Sequence, residues 1–284
     1  MESGTGFRYP VQVLFAALRI AYESFRYRVE KHEANNLLAT LSMLLAFEVG
    51  GLDLALRVVF AILLNFLIYL LNDYCDLEVD LRDCHKNQPK TRFMADHRRA
   101  SQLAVVGEML ILGGVALAHY LLFDTVLLAA ALVINVALYH AYSRWLKRIP
   151  IVDVLSMTLA GATSTMVGAP GSLVGYRLLG LLAMFSGAYE AIQVIRDVES
   201  DEQQGVHTTA VFLGPRLTAW LFRAIVLGAA LYGVLYIGCW TAAGLTLALL
   251  LPLGVEQAAR SWDKARIVFG LVWIGLLVEL SLGL

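Results

Sequence analysis

Four acidic side chains crowd the ten residues LNDYCDLEVD, Leu71–Asp80, directly after the apolar run VVFAILLNFLIYL. Asp73, Asp76 and Asp80 are spaced by three and four. On a continuous helix they share an arc of roughly 100° with Asn72 and Asn65, while Glu78 points elsewhere. A second polar stripe occupies YEAIQVIRDVESDEQQGVHTT. There Tyr189, Gln193, Arg196, Asp197 and Asp201 fall on an arc of roughly 140°, with Gly205 as a stop. Charge at membrane depth is costly, so ionisable groups at the mouth of an apolar helix are candidates for function. Hard oxygen donors without a Cys/His set are wrong for zinc. They suit Mg²⁺, which takes one or two carboxylates and completes its octahedron with substrate phosphates. Lys86, Lys90, Arg92, Lys147, Arg148 and Arg196 stand in neighbouring segments and suit phosphate oxygens. A single acidic run at a membrane boundary is usually a solvated loop. A second one in the matching place favours a metal site that grips a diphosphate while its apolar tail lies among helices. Asn65 by itself reads as an interhelical hydrogen-bonding residue.

The elements that carry these residues are apolar. The 284 residues are 59% hydrophobic and 16% charged, with a mean hydropathy of +0.68, against about 25% charged in a soluble domain. Stretches near the roughly 20 residues that span a bilayer recur at 36–51, 54–72, 101–121, 124–143, 152–171, 175–196, 217–236, 239–254 and 265–283. The pattern predicts an all-α, polytopic membrane protein with nine transmembrane helices. A cytoplasmic N-terminus places every Lys and Arg except Arg57 and Arg177 on the inside, so the positive-inside rule supports that orientation. The carboxylate clusters then open at the cytoplasmic face. VQVLFAALRIAYESFRYRVEK reads as an amphipathic helix lying in the interface rather than a cleavable signal. The expected organisation is therefore an interfacial segment, 1–34, followed by a transmembrane domain, 35–284. Cys75, Cys84 and Cys239 form no metal-ligand spacing, and the two in the cytoplasmic loop region are expected to be free thiols. Neither Walker nor dinucleotide glycine motifs occur, and no nucleic-acid partner is expected.

NDYCDLEVD resembles the NDxxDxxxD motif of the UbiA superfamily of intramembrane prenyltransferases. RDVESDEQQGVHTTAVFLG resembles its second motif, and YSRWLKRIP resembles its basic loop after the fourth span. The likeness runs over roughly 36–283. It implies nine helices around a central cavity, Mg²⁺-dependent ionisation of a prenyl diphosphate, and transfer of the prenyl group to an aromatic or other lipophilic acceptor. By position, Asn72, Asp73, Asp76 and Asp80 would bind one Mg²⁺–diphosphate unit, and Asp197 and Asp201 the second. Lys147 and Arg196 would contact phosphate oxygens, and Tyr189 and Gln193 would border the substrate. The segment HKNQPKTRFMADH lacks the glycine of the family's Arg-Pro pattern and offers Lys86, Lys90 and Arg92 instead. A terpene cyclase on the same scaffold is the alternative. A cation transporter would want its carboxylates nearer the bilayer midplane.

Overall fold

The computed structural model describes residues 8–31, 34–82 and 87–283. Among them there are helices and no strands. The α-helices are α1 (Arg8–Glu30), α2 (Asn35–Ala46), α3 (Gly51–Cys75), α4 (Leu77–Asp80), α5 (Gln88–Asp96), α6 (Arg98–Phe123), α7 (Leu127–Arg144), α8 (Val152–Thr165), α9 (Leu173–Arg196), α10 (Val198–Gln203), α11 (Thr209–Leu213), α12 (Pro215–Tyr232) and α13 (Val255–Leu282). A 3₁₀ turn, Leu146–Arg148, follows α7, and an eleven-residue 3₁₀ helix, Trp240–Leu250, precedes α13.

Among the described residues, six segments are long and apolar enough to cross a membrane: Gly51–Cys75, Arg98–Phe123, Leu127–Arg148, Leu173–Arg196, Pro215–Ile237 and Val255–Leu282. The other three apolar stretches are also helical but shorter. The twelve residues of α2 reach about 18 Å and the fourteen of α8 about 21 Å, against a hydrocarbon core of about 30 Å. Large apolar side chains such as Leu110, Leu121, Ile267 and Leu271 are left exposed along the long helices, as expected for faces that meet lipid. The protein is an integral membrane protein.

The chain divides into two compact units. One holds Met1–Ala34 and Ile62–Ser143, the other Asn35–Ala61 and Arg144–Leu284. In the first, α1 packs on α5 and α6, and α5 on α4 and α6. Asn87 caps α5 by accepting from the Lys90 N–H, with a proline in the first turn, where its missing N–H is harmless.

In the second unit α9 is the central helix, with α8, α12 and α13 packed on it. Two-thirds of its span is buried, 67% against at most 39% in the other long helices. Phe185 and Ile192 of α9, Phe222 of α12 and Phe269 and Leu276 of α13 share one core. Glycine permits a close approach of α8 to α9: a Cβ on Gly161 of α8 would lie 2.7 Å from the Leu182 carbonyl oxygen of α9. Small residues at such a crossing let two backbones approach where lipid offers no hydrophobic drive.

Candidate active site

The first acidic run lies where α3 ends. The helix does not run unbroken through it. Asp76 sits at φ −95°, ψ 4° between α3 and α4, in the sparsely populated bridge region often used at active sites. Backbone bonds still carry the turn across, with Asp76 N–H on the Asn72 carbonyl at 2.9 Å and Asp80 N–H on the Asp76 carbonyl at 2.8 Å. Asp73, Asp76 and Asp80 are all buried. Glu78 is 75% exposed and pairs with Arg98 at 3.3 Å, in keeping with its place off the shared arc.

The second run repeats this backbone device. Asp197 sits at φ −93°, ψ 2° between α9 and α10. Its N–H bonds the Gln193 carbonyl at 3.0 Å, and the Asp201 N–H bonds the Asp197 carbonyl at 2.8 Å. By hydrogen-bond register, Asn72, Asp76 and Asp80 therefore correspond to Gln193, Asp197 and Asp201. Asp73 has no acidic counterpart in the second run, where Val194 stands at its place. Gly205 takes φ +67° just beyond α10, which is the stop read from the sequence.

Asp73 is instead the hub of a buried ion-pair cluster in the first unit. Its Oδ1 accepts from Arg28 Nη2 at 2.7 Å, and its Oδ2 from Lys90 Nζ at 2.6 Å and Ser24 Oγ at 3.0 Å. Arg28 lies over the Tyr69 ring at 4.4 Å, and Lys90 over Tyr27 at 4.9 Å. Burial pulls the Lys90 ammonium below the usual lysine range, and the Asp73 charge opposes that pull. Asn72 is held by Ser143 Oγ, which donates to its Oδ1 at 2.9 Å. Arg92 is exposed, about 200° around α5 from Lys90. Lys86 lies outside the described residues. Asn65 departs from its expected role: among the described residues its buried Nδ2 finds no hydrogen-bond partner.

Ser24 also lines an apolar cavity of about 240 Å³ with Ala21, Tyr22, Phe25, Phe66, Leu70 and Glu108. Charged groups and apolar space thus adjoin at Ser24.

The second unit gathers its own charges. Arg196 donates from Nε and Nη2 to both oxygens of Asp197, at 2.6 and 2.8 Å. Burial first, and then the Asp197 charge, push the Asp201 carboxyl up to about 6, against the Thr208 hydrogen bond and the Lys147 ammonium. Thr208 Oγ1 donates to Asp201 Oδ2 at 3.2 Å. Deeper along α9, the Tyr189 ring packs at a tilt against Phe269 at 5.1 Å and Trp262 at 5.9 Å between centroids. Gln193, one turn before Asp197, is partly exposed.

Sequence reasoning missed Arg28 and Asp153. Arg28 was legible only as one of four arginines spaced along α1. Asp153 is fully buried at the start of α8, and its partner Thr209 is 56 residues away.

Among the described residues, no three His, Cys, Asp or Glu side chains converge to hold a metal ion unaided. Mg²⁺ completed by phosphate and water does not require three. Asp197 and Asp201, one turn apart and linked by the Asp201 N–H to the Asp197 carbonyl, offer hard carboxylate oxygens of the kind Mg²⁺ takes.

The family model of the UbiA prenyltransferase family matches residues 36–268. The chain belongs to that family. Among its UbiA relatives, the digeranylgeranylglyceryl phosphate synthase of Sulfolobus acidocaldarius is 28% identical over 230 residues, 76% of this chain and 80% of that protein. A C(50) beta-cyclic carotenoids biosynthesis protein of Dietzia is 26% identical over 231 residues, 78% of this chain and 53% of that one. In fold, the chain matches a UbiA homologue of Archaeoglobus fulgidus bound to GPP and Mg²⁺. The TM-score is 0.63 at 14% identity, over 93% of this chain and 98% of that one. A solved structure from work on digeranylgeranylglyceryl phosphate synthase in membranes gives a TM-score of 0.70 at 16% identity, over 94% and 99%. The chain is thus a UbiA-family prenyltransferase.

Proposed function

We propose that this enzyme transfers an allylic prenyl group from its Mg²⁺-bound diphosphate to a lipophilic acceptor. The observation that carries the reading is the repeated helix-end device, Asn72-Asp76-Asp80 and Gln193-Asp197-Asp201, with cations beside each run. Asp76, Asp80, Asp197 and Asp201 are the proposed metal carboxylates. Asp73 joins them once its cations turn to phosphate. When bound, Mg²⁺ supplies Lewis-acid stabilisation of the leaving diphosphate.

The chain's own residues do the rest. Arg28 and Lys90 in the first unit, and Arg196 in the second, exchange their carboxylate partners for phosphate oxygens, and Lys147 adds its charge, which stabilises the charge that develops on the leaving group. Apolar and aromatic walls, with Tyr189 among them, keep water from the allylic cation. The bond from the prenyl carbon to diphosphate breaks first, its electron pair leaving with the diphosphate; the acceptor oxygen or carbon then bonds to the allylic cation, and the acceptor loses its proton. Nine spans, a cytoplasmic N-terminus, an interfacial segment over 1–34 and a transmembrane domain over 35–284 complete the proposal, with the site opening at the cytoplasmic face.

The relatives' names favour a glyceryl phosphate ether as acceptor, and a phenol or quinone is the other class to try. Purified protein is incubated with geranylgeranyl diphosphate and Mg²⁺, with and without each acceptor, and diphosphate and lipid products are measured. Acceptor-dependent diphosphate release is expected. Cyclised hydrocarbon formed without an acceptor would overturn the transferase reading in favour of a cyclase.

A further inference from the structure

The Asp153 carboxylate is fully buried, and every hydrogen bond it accepts comes from a neutral donor. The Thr209 N–H reaches Oδ2 at 2.6 Å, the Thr209 hydroxyl donates to Oδ1, and the Val154 N–H donates to Oδ1 at 2.8 Å. The same Thr209 oxygen accepts from the Ile151 N–H at 2.6 Å. That bond holds Ile151 at φ +71°, a left-handed backbone that a β-branched residue rarely adopts. Three chain segments are therefore tied at one threonine: the turn that ends at Ile151, the first turn of α8, and the start of α11.

Functional groups lie on both sides of this knot. Lys147 precedes Ile151 by four residues, in the 3₁₀ turn Leu146–Arg148 that packs on α8. On the other side Thr208, directly before Thr209, donates to Asp201. A buried carboxylate with only neutral donors is a demanding arrangement to maintain, and its placement indicates what it serves. We propose that Asp153 and Thr209 are positioning residues, a staple that holds the Lys147 turn in register with Asp201, so that a phosphate-binding cation and a metal-binding carboxylate keep a fixed separation. The proposal rests on the diphosphate-binding reading above.

The test reads ligand binding without turnover. Mg²⁺ with inorganic pyrophosphate is titrated while the melting temperature of the detergent-solubilised protein is followed. Trypsin cleavage after Lys147 and Arg148 is timed separately without ligand. Thr209→Val, which keeps the shape and the backbone bond but removes the hydroxyl and with it the bonds to Asp153 and from Ile151, is expected to need about ten-fold more pyrophosphate and to expose the turn to trypsin. Thr209→Ser keeps the hydroxyl and should rescue both readings. Thr241→Val is the matched control, because Thr241 N–H and Oγ1 both donate to Glu279 near the C-terminal end of α13. It should bind pyrophosphate as the wild type does.

Wild-type binding by Thr209→Val, weakened binding with a protected turn, or equal weakening in Thr241→Val would each overturn the proposal. If Thr209→Val does not fold, Asp153→Asn is read by the same criteria. Asp201→Ala separates the two readings: undiminished binding there defeats the proposed function, while the ligand-free trypsin result still decides the staple.

Discussion

Replacing Asp73 by asparagine is expected to loosen α1 and α5. The carboxylate is 7% exposed and sits between Arg28, 13% exposed, and Lys90, 8% exposed. Removing one partner of a buried ion pair costs about 3–5 kcal/mol, because the remaining charge has lost its compensation. Asparagine still offers one oxygen, and the Tyr69 and Tyr27 faces still attract the two cations, so the lower end applies. A loss of about 3 kcal/mol corresponds to local opening roughly 150-fold more frequent. Hydrogen exchange reports it directly, at the amides around Ala17 and Ile20 of α1, which are 4% and 1% exposed. Lys90→Met in the same chain removes one stranded charge and should restore part of the protection, a coupling that a double-mutant cycle isolates. Pyrophosphate with Mg²⁺ should protect the variant more than the wild type, since it offers Arg28 and Lys90 new anionic partners. Unchanged exchange in α1 and α5 of Asp73→Asn would refute the view that this cluster holds them.

Asp197→Asn and Asp201→Asn should each lower diphosphate release by on the order of 100-fold or more, whereas Glu78→Gln, exposed and paired only with Arg98 in the contacts described above, should retain substantial activity in the same assay. Chelation of divalent metal should stop diphosphate release, and added Mg²⁺ should restore it. Gly161→Leu should destabilise the α8–α9 pair by about 1–3 kcal/mol through overpacking, read as a lower melting temperature, because its Cβ already meets the Leu182 carbonyl oxygen at 2.7 Å. Single cysteines in 87–99, 144–150 and 198–216 should label from the cytoplasmic side, and ones at Leu122 or Gly175 should not; mixed labelling of the three basic loops would break the nine-span topology.

Both acidic runs were legible because each follows an apolar stretch and keeps helical spacing, and local periodicity survives in a sequence without any tertiary information. The end of α10 near Gly205 and the cap of α5 at Asn87 were written locally too. Helical spacing nevertheless overstates continuity. It cannot reveal that Asp76 and Asp197 adopt the bridge conformation, which turns each long helix into a short second one. Nor can it show that hydrogen-bond register matches Asp197 with Asp76 and leaves Asp73 without an acidic counterpart.

The sequence by itself determined an all-helical membrane chain, the apolar helices, and the carboxylates and cations at their ends. These follow from composition, periodicity and the price of burying charge. Only the tertiary structure decided which cation meets which carboxylate. Arg28 reaches Asp73 across 45 residues and Thr209 reaches Asp153 across 56. Helical periodicity states which side chains share a face, but not which face of another helix that face will meet. That choice depends on the packing of whole helices, down to Gly161 and Gly187, which let α8 settle against α9.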